Sequence, residues 1–361
     1  MSNMKSYTDF IVNISQIRNN ILNIKKHIGN DVKFCAVVKA NAYSHGLISI
    51  ARNISDIVDY FAVACLKEAE TIRLVDKKTN ILILSRVEKD DLAWCRENNV
   101  CISIGSYLQL IHYGEELQGV KIHLQVNTGL NRFGFRSIVE FKKSINYIDT
   151  HSFVLEGVYS HFATKSEDKS FIKRQNYKFM QFKNILKDRD IIFHIANSYV
   201  TIFSKDYHYN MVRNGFLMYG CTGEDIGNKS AIEIKSQVIH IGKVRKGDTI
   251  GYDRTYRAKS SMTIAVVPVG YADGFDRNLS NNFSVLINGK WCKVVGLVCM
   301  DVFMVDITDM DISVGDKVTL LGKDGDNMVT LNHYAQALHT SPYAVLLGFN
   351  YKRMNYILKN K

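Results

Sequence analysis

One short run of the chain combines an amine, a phenol and an imidazole. Lys39 stands at the end of an apolar, partly β-branched segment at 34–38, which predicts a short buried strand. An ammonium buried without a partner is costly, so Lys39 is expected to be paired, neutral or covalently modified. Small residues, Tyr43 and His45 follow it, a composition typical of a loop that a ligand approaches closely. The simpler alternative is a strand end whose lysine reaches solvent.

Later apolar runs also end in residues that bind anions or hold protons: Arg132, His161, Asn197, Ser198 and Arg213. An arginine can pair a carboxylate through two N–H groups, and it keeps its proton. Free backbone N–H groups and a hydroxyl where a helix begins form an anion site. Each position has a plainer interpretation: a surface ion pair for Arg132, a hydrogen-bonded structural imidazole for His161, and a helix cap for Asn197 and Ser198.

The elements that must position these residues alternate along the first two thirds of the chain. Eight short apolar runs predict strands at 34–38, 61–65, 81–84, 100–104, 120–126, 154–159, 191–195 and 209–212. Stretches of helical period lie between them, for example at 66–75, 106–113, 137–148 and 169–186. This α/β alternation predicts an N-terminal (β/α)8 barrel over residues 1–228, with ligand groups at the C-terminal ends of its strands. No GxGxxG or GxxxxGK run supports a dinucleotide or P-loop fold.

The pattern changes near residue 229. Denser β-forming runs and closer turn signals predict a C-terminal, mostly β domain over residues 229–361, with one short helix around 330–338. Asn288-Gly289 lies between two apolar runs and predicts a hairpin with a type I′ turn. The polar, glycine-containing segment 223–229 is the predicted boundary.

Composition is typical of a soluble globular protein with two domains: 361 residues, 46% hydrophobic and 22% charged. No segment approaches ~18 uninterrupted apolar residues, and the N-terminus lacks the pattern of a signal peptide. The seven cysteines form no CxxC pair, which favours reduced thiols and a cytoplasmic protein. The net charge is +11, but the basic residues are scattered, so neither a nucleic acid nor a membrane is expected as a partner. No metal site is expected.

The run VVKANAYSHG at 37–46 resembles the pyridoxal 5'-phosphate (PLP) motif of alanine racemases. The runs NTGLNRFG at 127–134, SHFA at 160–163, HIANS at 194–198 and MVRNGFLMYG at 211–220 are similar to runs of that family, in its order. The resemblance implies a PLP-dependent isomerase that interconverts L- and D-alanine and supplies D-alanine for peptidoglycan. It implies that Lys39 bonds covalently to PLP and that these residues complete the cofactor site: Tyr43, His161, Asn197, Ser198, Arg213, Gly215, Phe216 and Tyr343.

The resemblance also implies two bases and a homodimer with shared active sites. Lys39 would serve one face of the substrate Cα, and Tyr256 of the partner subunit would serve the other. Cationic neighbours, for which His161 and Arg213 are candidates, would let the Tyr256 phenol act near neutral pH. Arg213 would face the pyridine nitrogen and leave it unprotonated, which disfavours transamination. The small substrate, alanine, would contact Arg132, Tyr271, Met300 and Asp301.

The chain departs from the family pattern at four positions. Ser44 replaces the usual glycine, Asn127 the usual aspartate, and Leu297 a common arginine. Gln125 stands where a carbamylated lysine often holds Arg132, so the Gln125 amide or a bound anion would replace it. The sequence leaves other functions open: racemisation of serine or another amino acid, a non-catalytic PLP-binding protein, and a fold-type III decarboxylase. The last two lose support because the second domain carries Tyr256 and because no catalytic cysteine is identified.

Overall fold

The computed structural model describes residues 6–164, 168–222 and 226–360, and the chain divides into two compact units. The barrel unit holds residues 17–229, and the β unit holds residue 230 onward together with the residues up to Gln16. The first strand, β1 (Asp9–Asn13), pairs with strands at Ile232–Gln237 and Asn355–Lys359. The start of the chain therefore groups with the β unit, unlike the predicted barrel domain 1–228. Pairing with such distant partners leaves no local pattern in the sequence.

The barrel unit alternates strands with helices. Its elements, with the helix that leads into it, are α1 (Ile14–Ile28), β2 (Lys33–Val37), α2 (Lys39–Tyr43), α3 (Leu47–Ile54), β3 (Tyr60–Val63), α4 (Leu66–Arg73), β4 (Asn80–Ile83), α5 (Leu92–Glu97), β5 (Val100–Ile104), α6 (Tyr107–Tyr113), β6 (Lys121–Gln125), α7 (Ile138–Thr150), β7 (Val154–Tyr159), α8 (Lys169–Ile185), β8 (Ile192–His194), α9 (Ser198–Phe203) and β9 (Met211–Asn214).

Strands β2 to β9 form one parallel sheet in the order β8-β7-β6-β5-β4-β3-β2-β9. Two backbone hydrogen bonds join its end strands: Asn210 N–H donates to the Phe193 carbonyl at 3.0 Å, and Arg213 N–H to the Ala196 carbonyl at 3.1 Å. The sheet is therefore a nearly closed barrel. The predicted (β/α)8 barrel is confirmed, and each of its eight predicted strands is present.

Helix α1 illustrates how the sequence covers the barrel. Ile17, Ile21 and Ile24 recur at helical spacing and are fully buried. Each such side chain contributes roughly 1.5–3 kcal/mol by leaving water. The Asn13 side chain caps the helix by accepting from Gln16 N–H at 2.9 Å, and Gly29 ends it at φ +86°. The other helices and strands of this unit were likewise predicted from the spacing of their apolar residues.

The β unit is mostly strand, as predicted. Its remaining elements are β10 (Ile232–Gln237), β11 (His240–Val244), β12 (Thr249–Ile250), β13 (Tyr256–Arg257), β14 (Met262–Val267), β15 (Ser284–Ile287), β16 (Lys290–Lys293), β17 (Phe303–Asp306), β18 (Lys317–Asp324), β19 (Asn327–Val329), α10 (Leu331–Ala337), α11 (Pro342–Gly348) and β20 (Asn355–Lys359). A seven-stranded sheet runs β16-β15-β18-β10-β1-β20, with β19 beside β18. Smaller sheets pair β11-β14-β17 and β12-β13.

Two details of the β unit bear on the sequence predictions. Asn288 and Gly289 both have positive φ, +50° and +75°, which confirms the type I′ hairpin between β15 and β16. The unit has a second helix, α11, beyond the one predicted, and Pro342 stands in its first turn. Within the three described ranges, no helix combines the length and apolar character that a membrane span requires.

Candidate active site

Lys39 lies two residues beyond β2, at the C-terminal end of the barrel strands, and opens a strained turn. Residues 40–44 all have φ between +52° and +68°, so α2 is a turn of left-handed helix. This conformation costs roughly 1–2 kcal/mol per residue for L-amino acids. Strain persists only where the surroundings hold it. The Glu68 carboxylate provides such a hold, because it accepts from Ala40 N–H at 2.6 Å and from Ala64 N–H at 2.7 Å.

The environment of Lys39 favours a neutral amine. Burial lowers the pKa of Lys39 most, Arg132 and Arg213 lower it further, and Glu68 opposes them. A neutral amine can add to a carbonyl carbon and can accept a proton. Lys39 therefore has the electrostatic surroundings of a nucleophile and base.

Arg213, on β9, is a cation only 4% exposed. Its Nη1 donates to His194 Nδ1 at 2.7 Å and to the His194 carbonyl at 3.2 Å. Its Nη2 donates to the Ser160 carbonyl at 2.6 Å and to His161 Nδ1 at 3.2 Å. Among the described residues, no carboxylate pairs with Arg213 and no acceptor takes its Nε–H. One donor of a buried guanidinium is thus left for a ligand.

His161 follows β7 and is a neutral imidazole. Its Nδ1 accepts from Arg213, so its proton lies on Nε2. Burial lowers the pKa of His161 to about 3, with further lowering by Arg213, Arg132 and Lys39. The expectation that His161 is a candidate for positive charge near Tyr256 does not hold, because its Nδ1 accepts a hydrogen bond from Arg213 and burial lowers its pKa. Its contact with Arg213 makes it a ring that orients the guanidinium.

Asn197 and Ser198 lie after β8. The sequence suggested a helix cap and an anion site for this pair, and each residue takes one of these two roles. Asn197 is the cap of α9 and accepts from Val200 N–H at 3.1 Å. The Ser198 hydroxyl accepts from Gly215 N–H and Leu217 N–H, both at 3.3 Å, so its own proton remains for another acceptor. Ser198 is thus not the cap.

Gly215 and Phe216 follow β9 and approach the turn after Lys39. A Cβ on Gly215 would lie 3.0 Å from the Tyr43 hydroxyl, so only glycine leaves that ring in place. Tyr43 is buried, its ring centroid lies 5.5 Å from that of Tyr219, and burial raises its pKa to about 12. Phe216, the next residue after Gly215, is buried as well. Tyr43, Ser198 and Gly215 therefore form one polar corner.

Arg132 is exposed in the loop after β6, with its guanidinium carbon 5.8 Å from the Phe133 ring centroid. Asn127 shapes the loop, since its Oδ1 accepts from Gly129 N–H at 3.0 Å and from Asn131 N–H at 3.1 Å. Gln125 is buried, but within the described ranges no hydrogen bond joins its amide to Arg132. The proposed hold of Arg132 by Gln125 is therefore not observed.

In the β unit, the two segments that carry Tyr271, Met300 and Asp301 lie side by side. Tyr271 N–H donates to the Cys299 carbonyl at 3.1 Å, and a Cβ on Gly270 would lie 2.1 Å from the Met300 carbonyl oxygen. Only glycine permits this contact. The side chains of Tyr271 and Met300 are exposed, and so is Asp301.

Arg353 is a residue of this cluster that sequence reasoning missed. It pairs with Asp301 at 2.6 Å and with Asp273 at 3.0 Å, so it fixes both segments. The sequence around it, at 352–355, resembles no run of the family, and only the two acidic partners could have suggested its role.

Tyr256 and Tyr343 belong to separate parts of the β unit. Tyr256 opens β13 opposite Ile250 of β12 and is half-buried. It packs against the cluster of Ile250, Ala258, Met262, Val295 and Met304. Tyr343 lies in the first turn of α11 and is half-buried. Leu297, which stands where the family commonly has an arginine, is also half-buried.

Comparison with known proteins identifies the family. A family model for the alanine racemase N-terminal domain matches residues 12–223, and one for the C-terminal domain matches residues 231–357. The chain belongs to the alanine racemase family. It is an isomerase that interconverts L- and D-alanine, as the resemblance predicted. The family's two domain models together span almost the whole chain.

Several racemases illustrate the likeness. The chain is 35% identical to the alanine racemase of Lactococcus lactis subsp. cremoris, over 94% of this chain and 95% of that one. It is 33% identical to the enzyme of Streptococcus pyogenes, over 93% and 94%. An alanine racemase crystal structure from E. faecalis has a TM-score of 0.91 at 31% identity, with 99% and 100% of the chains covered. A racemase structure from Bacillus anthracis with bound L-Ala-P has a TM-score of 0.87 at 32% identity, covering 97% and 94%.

Proposed function

We propose that this racemase holds PLP on Lys39 and uses Lys39 and Tyr256 as its two bases. The observation that carries the proposal is the partly buried Lys39 amine, whose pKa burial and two arginines lower. Such an amine is unprotonated at lower pH than an ordinary lysine, which suits both bonding to an aldehyde and accepting a proton.

The residues around Lys39 fit the three polar ends of PLP. The Lys39 amine suits the aldehyde, the free Nε–H of Arg213 suits an unprotonated ring nitrogen, and the unused proton of Ser198 suits a phosphate oxygen. Tyr43 and Gly215 would flank the phosphate. Asn197, as the cap of α9, would hold the start of the helix that carries Ser198, and His161 would hold Arg213. Phe216 would support that corner from below. Tyr343 of the β unit is proposed as a further phosphate ligand.

When bound, PLP withdraws electrons from the Cα of an attached amino acid and so makes the Cα proton removable. Lys39 Nζ would take or return that proton on one face. The Tyr256 hydroxyl would do so on the other face. Arg213 cannot release its proton, so it would leave the ring nitrogen unprotonated and favour return of the proton to Cα.

Substrate binding is assigned to four residues. Arg132 is exposed and has no carboxylate partner within the described ranges, so it is free to pair with the carboxylate of alanine. Tyr271, Met300 and Asp301 would restrict the pocket to a small side chain, with Arg353 fixing Asp301. Loss of a methyl's worth of contact discriminates by only ~1–3 kcal/mol, so serine would turn over weakly.

We also propose a homodimer in which Tyr256 enters the site of the partner subunit, and D-alanine supply to peptidoglycan as its role. A cytoplasmic location is proposed as well. All seven cysteines are free thiols, as expected in a reducing compartment, although Cys65 is exposed rather than part of the core. Neither nucleic acid nor membrane is proposed as a partner.

An assay of D-amino acids formed from L-alanine, L-serine and L-lysine tests the proposal. D-amino acid oxidase would report the product, with PLP supplied. The expected result is fast conversion of L-alanine, slow conversion of L-serine and none of L-lysine. Conversion of L-lysine faster than L-alanine would overturn the substrate assignment, and undiminished activity of Lys39→Ala would overturn the role of Lys39.

A further inference from the structure

The interior of the barrel contains a line of polar side chains that reaches from Arg213 toward the opposite end of the strands. Barrel interiors are usually filled by branched aliphatic residues. Here the inward positions of β5 to β9 carry Cys101, His123, Glu156, His194 and Arg213. His123 and His194 are fully buried, although an imidazole is a polar group, and each lies among buried apolar residues of its strand.

Hydrogen bonds connect the line without a gap. Arg213 Nη1 lies 2.7 Å from His194 Nδ1, His194 Nε2 lies 2.9 Å from His123 Nδ1, and His123 Nε2 lies 3.0 Å from Glu156 Oε2. Both imidazoles are fully buried, and the Glu156 side chain is 16% exposed. The line therefore begins at the active site and ends close to solvent.

The chemistry of its two ends fixes every proton in the line. Arg213 can only donate, so His194 Nδ1 is an acceptor and the His194 proton lies on Nε2. That proton is donated to His123 Nδ1, which places the His123 proton on Nε2, facing Glu156. Each imidazole thus carries one proton, and each N–H points toward Glu156. The last of these protons, on His123 Nε2, needs a hydrogen-bond acceptor at position 156.

Glu156 is held as an ionised carboxylate. Burial alone would raise its pKa, but hydrogen bonds from His123, Cys101 and Lys121 outweigh burial and lower the pKa to about 2. Lys121 Nζ lies 3.1 Å from Oε1, and Cys101 Sγ lies 2.8 Å from Oε2. Tyr60 of β3 also faces this carboxylate. No other charged group within the described ranges contacts Glu156.

The backbone makes room for the line. The pairing of β6 with β7 shifts from Ile122 opposite Leu155 to His123 opposite Gly157, so Glu156 is an extra residue that forms a β-bulge. A Cβ on Gly157 would lie 2.6 Å from the His123 ring, so glycine alone accommodates that imidazole. A bulge and a glycine at adjacent positions both serve the contact between His123 and Glu156.

A metal ion fits the same residues less well. Cys101, His123 and Glu156 offer ligand atoms within 4.8 Å of one another, and these are ligand types of zinc. A metal on His123 Nε2 would displace the proton there, while His194 still donates to Nδ1. His123 would then have to be an imidazolate. The Lys121 ammonium beside Glu156 adds repulsion.

We propose that Glu156 is a positioning residue for Arg213. Through His123 and His194 it fixes both imidazoles in one orientation, and so it holds the guanidinium with Nε–H directed away from the barrel residues. The inference rests on the proposed role of Arg213 in the reaction. The buried line from Arg213 to Glu156 requires no cofactor. It can therefore be observed in the apoprotein, without turnover.

The test is ¹⁵N NMR of histidine side chains in the PLP-free full-length protein, with signals assigned through His123→Gln and His194→Gln. His123 and His194 are expected in the Nε2–H form across about pH 6 to 8. Glu156→Leu should mix the two forms of His123, because its Nε2–H loses its acceptor, whereas Glu156→Gln, which keeps an acceptor, should preserve the Nε2–H form. Lys121→Met is the matched control, because it breaks only the outer ion pair and should leave both signals unchanged.

Kinetics supply the second readout. With PLP bound, Glu156→Leu should lower kcat for alanine about 10- to 100-fold, as expected for a misplaced group, and Glu156→Gln should restore most of it. Gly157→Ala should lower kcat as well, because it displaces the His123 ring while Glu156 remains.

Three results would overturn the proposal: Nδ1–H or doubly protonated imidazoles in the unmodified protein, stoichiometric zinc that Cys101→Ser removes, or unchanged signals and kcat in Glu156→Leu. If the NMR result is as expected while the racemase assay fails, the proposed function falls, and what stands is the positioning of Arg213 by Glu156 through the two imidazoles.

Discussion

At the scale of single residues, the barrel end carries more positive charge than it can balance. Arg132 and Arg213 both lower the pKa of Lys39, and Glu68 is the single carboxylate that the described residues place against Lys39. Buried charge without a partner is costly. An anionic ligand with a phosphate and a carboxylate would offset this excess, and PLP with an amino acid provides both groups.

The first prediction concerns the pKa of Lys39. Arg132→Gln should raise this pKa by removing a cation, and Glu68→Gln should lower it by removing an anion. The amine reacts when neutral, that is, above its pKa. The pH profile for PLP uptake by the apoprotein, followed by absorbance, should therefore move to higher pH in Arg132→Gln and to lower pH in Glu68→Gln. Arg189→Gln, whose partner is Asp149, should not move it. Shifts in the same direction for the first two variants would contradict the account.

The second prediction concerns Tyr256. Tyr256→Phe should keep PLP absorbance and lose about 100-fold or more in racemisation, because a general base is removed. The resemblance implies that Lys39 serves the D-alanine face, so in D₂O the variant should still exchange the Cα proton of D-alanine, while exchange into L-alanine is lost. Tyr177→Phe, at an exposed tyrosine on α8, is the control and should match the unmodified enzyme. Exchange into L-alanine at the unmodified rate in Tyr256→Phe would exclude this phenol as a base.

At the scale of elements, the left-handed turn at 40–44 links the sequence to the site. Ser44 has φ +68°, a conformation that glycine adopts without penalty, and this explains why the family usually has glycine there. The chain keeps a serine at some cost in stability, and the neighbouring Glu68 contacts hold the turn.

The third prediction measures that cost. Ser44→Gly should raise the free energy of unfolding of the barrel unit by about 0.4–1 kcal/mol, because the strain exceeds the added backbone entropy. Ser49→Gly, inside the right-handed helix α3, should lower it by a similar amount. Urea titration in a Trp291→Phe background would report through Trp94, the remaining tryptophan, which lies in α5 of this unit. A loss of stability in Ser44→Gly would contradict the assigned strain.

The sequence predicted which helices and strands the chain forms. It did not predict local irregularities such as the left-handed turn at 40–44. Runs of buried β-branched residues located all eight barrel strands, and Asn288-Gly289 located the hairpin. Ser15, which precedes the apolar period of α1, is a plausible cap from the sequence, but Asn13 caps the helix, which begins at Ile14. The left-handed turn depends on tertiary contacts such as those of Glu68, which propensity cannot show.

The polar line inside the barrel has a partial signal in the sequence. Lys121, His123 and Gln125 alternate with apolar residues in the strand predicted at 120–126. Period two in a barrel strand separates its inner from its outer face. The bulge at Glu156, by contrast, depends on the register with β6 and could not be predicted.

At the scale of the whole molecule, the proposed bases belong to different units: Lys39 to the barrel unit and Tyr256 to the β unit. Motifs in family order predicted both groups, yet no sequence pattern shows which copy of the chain supplies Tyr256. The grouping of β1 with the β unit was also beyond the sequence, since its partners lie more than two hundred residues away.

The fourth prediction tests the shared site. Inactive Lys39→Ala and Tyr256→Phe proteins, mixed in equal amounts and allowed to exchange subunits, should regain about a quarter of the unmodified activity, because half the dimers are hybrids with one intact site each. Sedimentation should confirm the dimer in each sample. A dimer that exchanges subunits without recovering activity would contradict a site built from two chains.

The most direct test of the central claim is reduction of the PLP-loaded enzyme with borohydride, followed by mass spectrometry of its peptides. The account predicts a phosphopyridoxyl group on Lys39 and, in Lys39→Ala, none on any lysine. A phosphopyridoxyl group on a different lysine of the unmodified enzyme would contradict it.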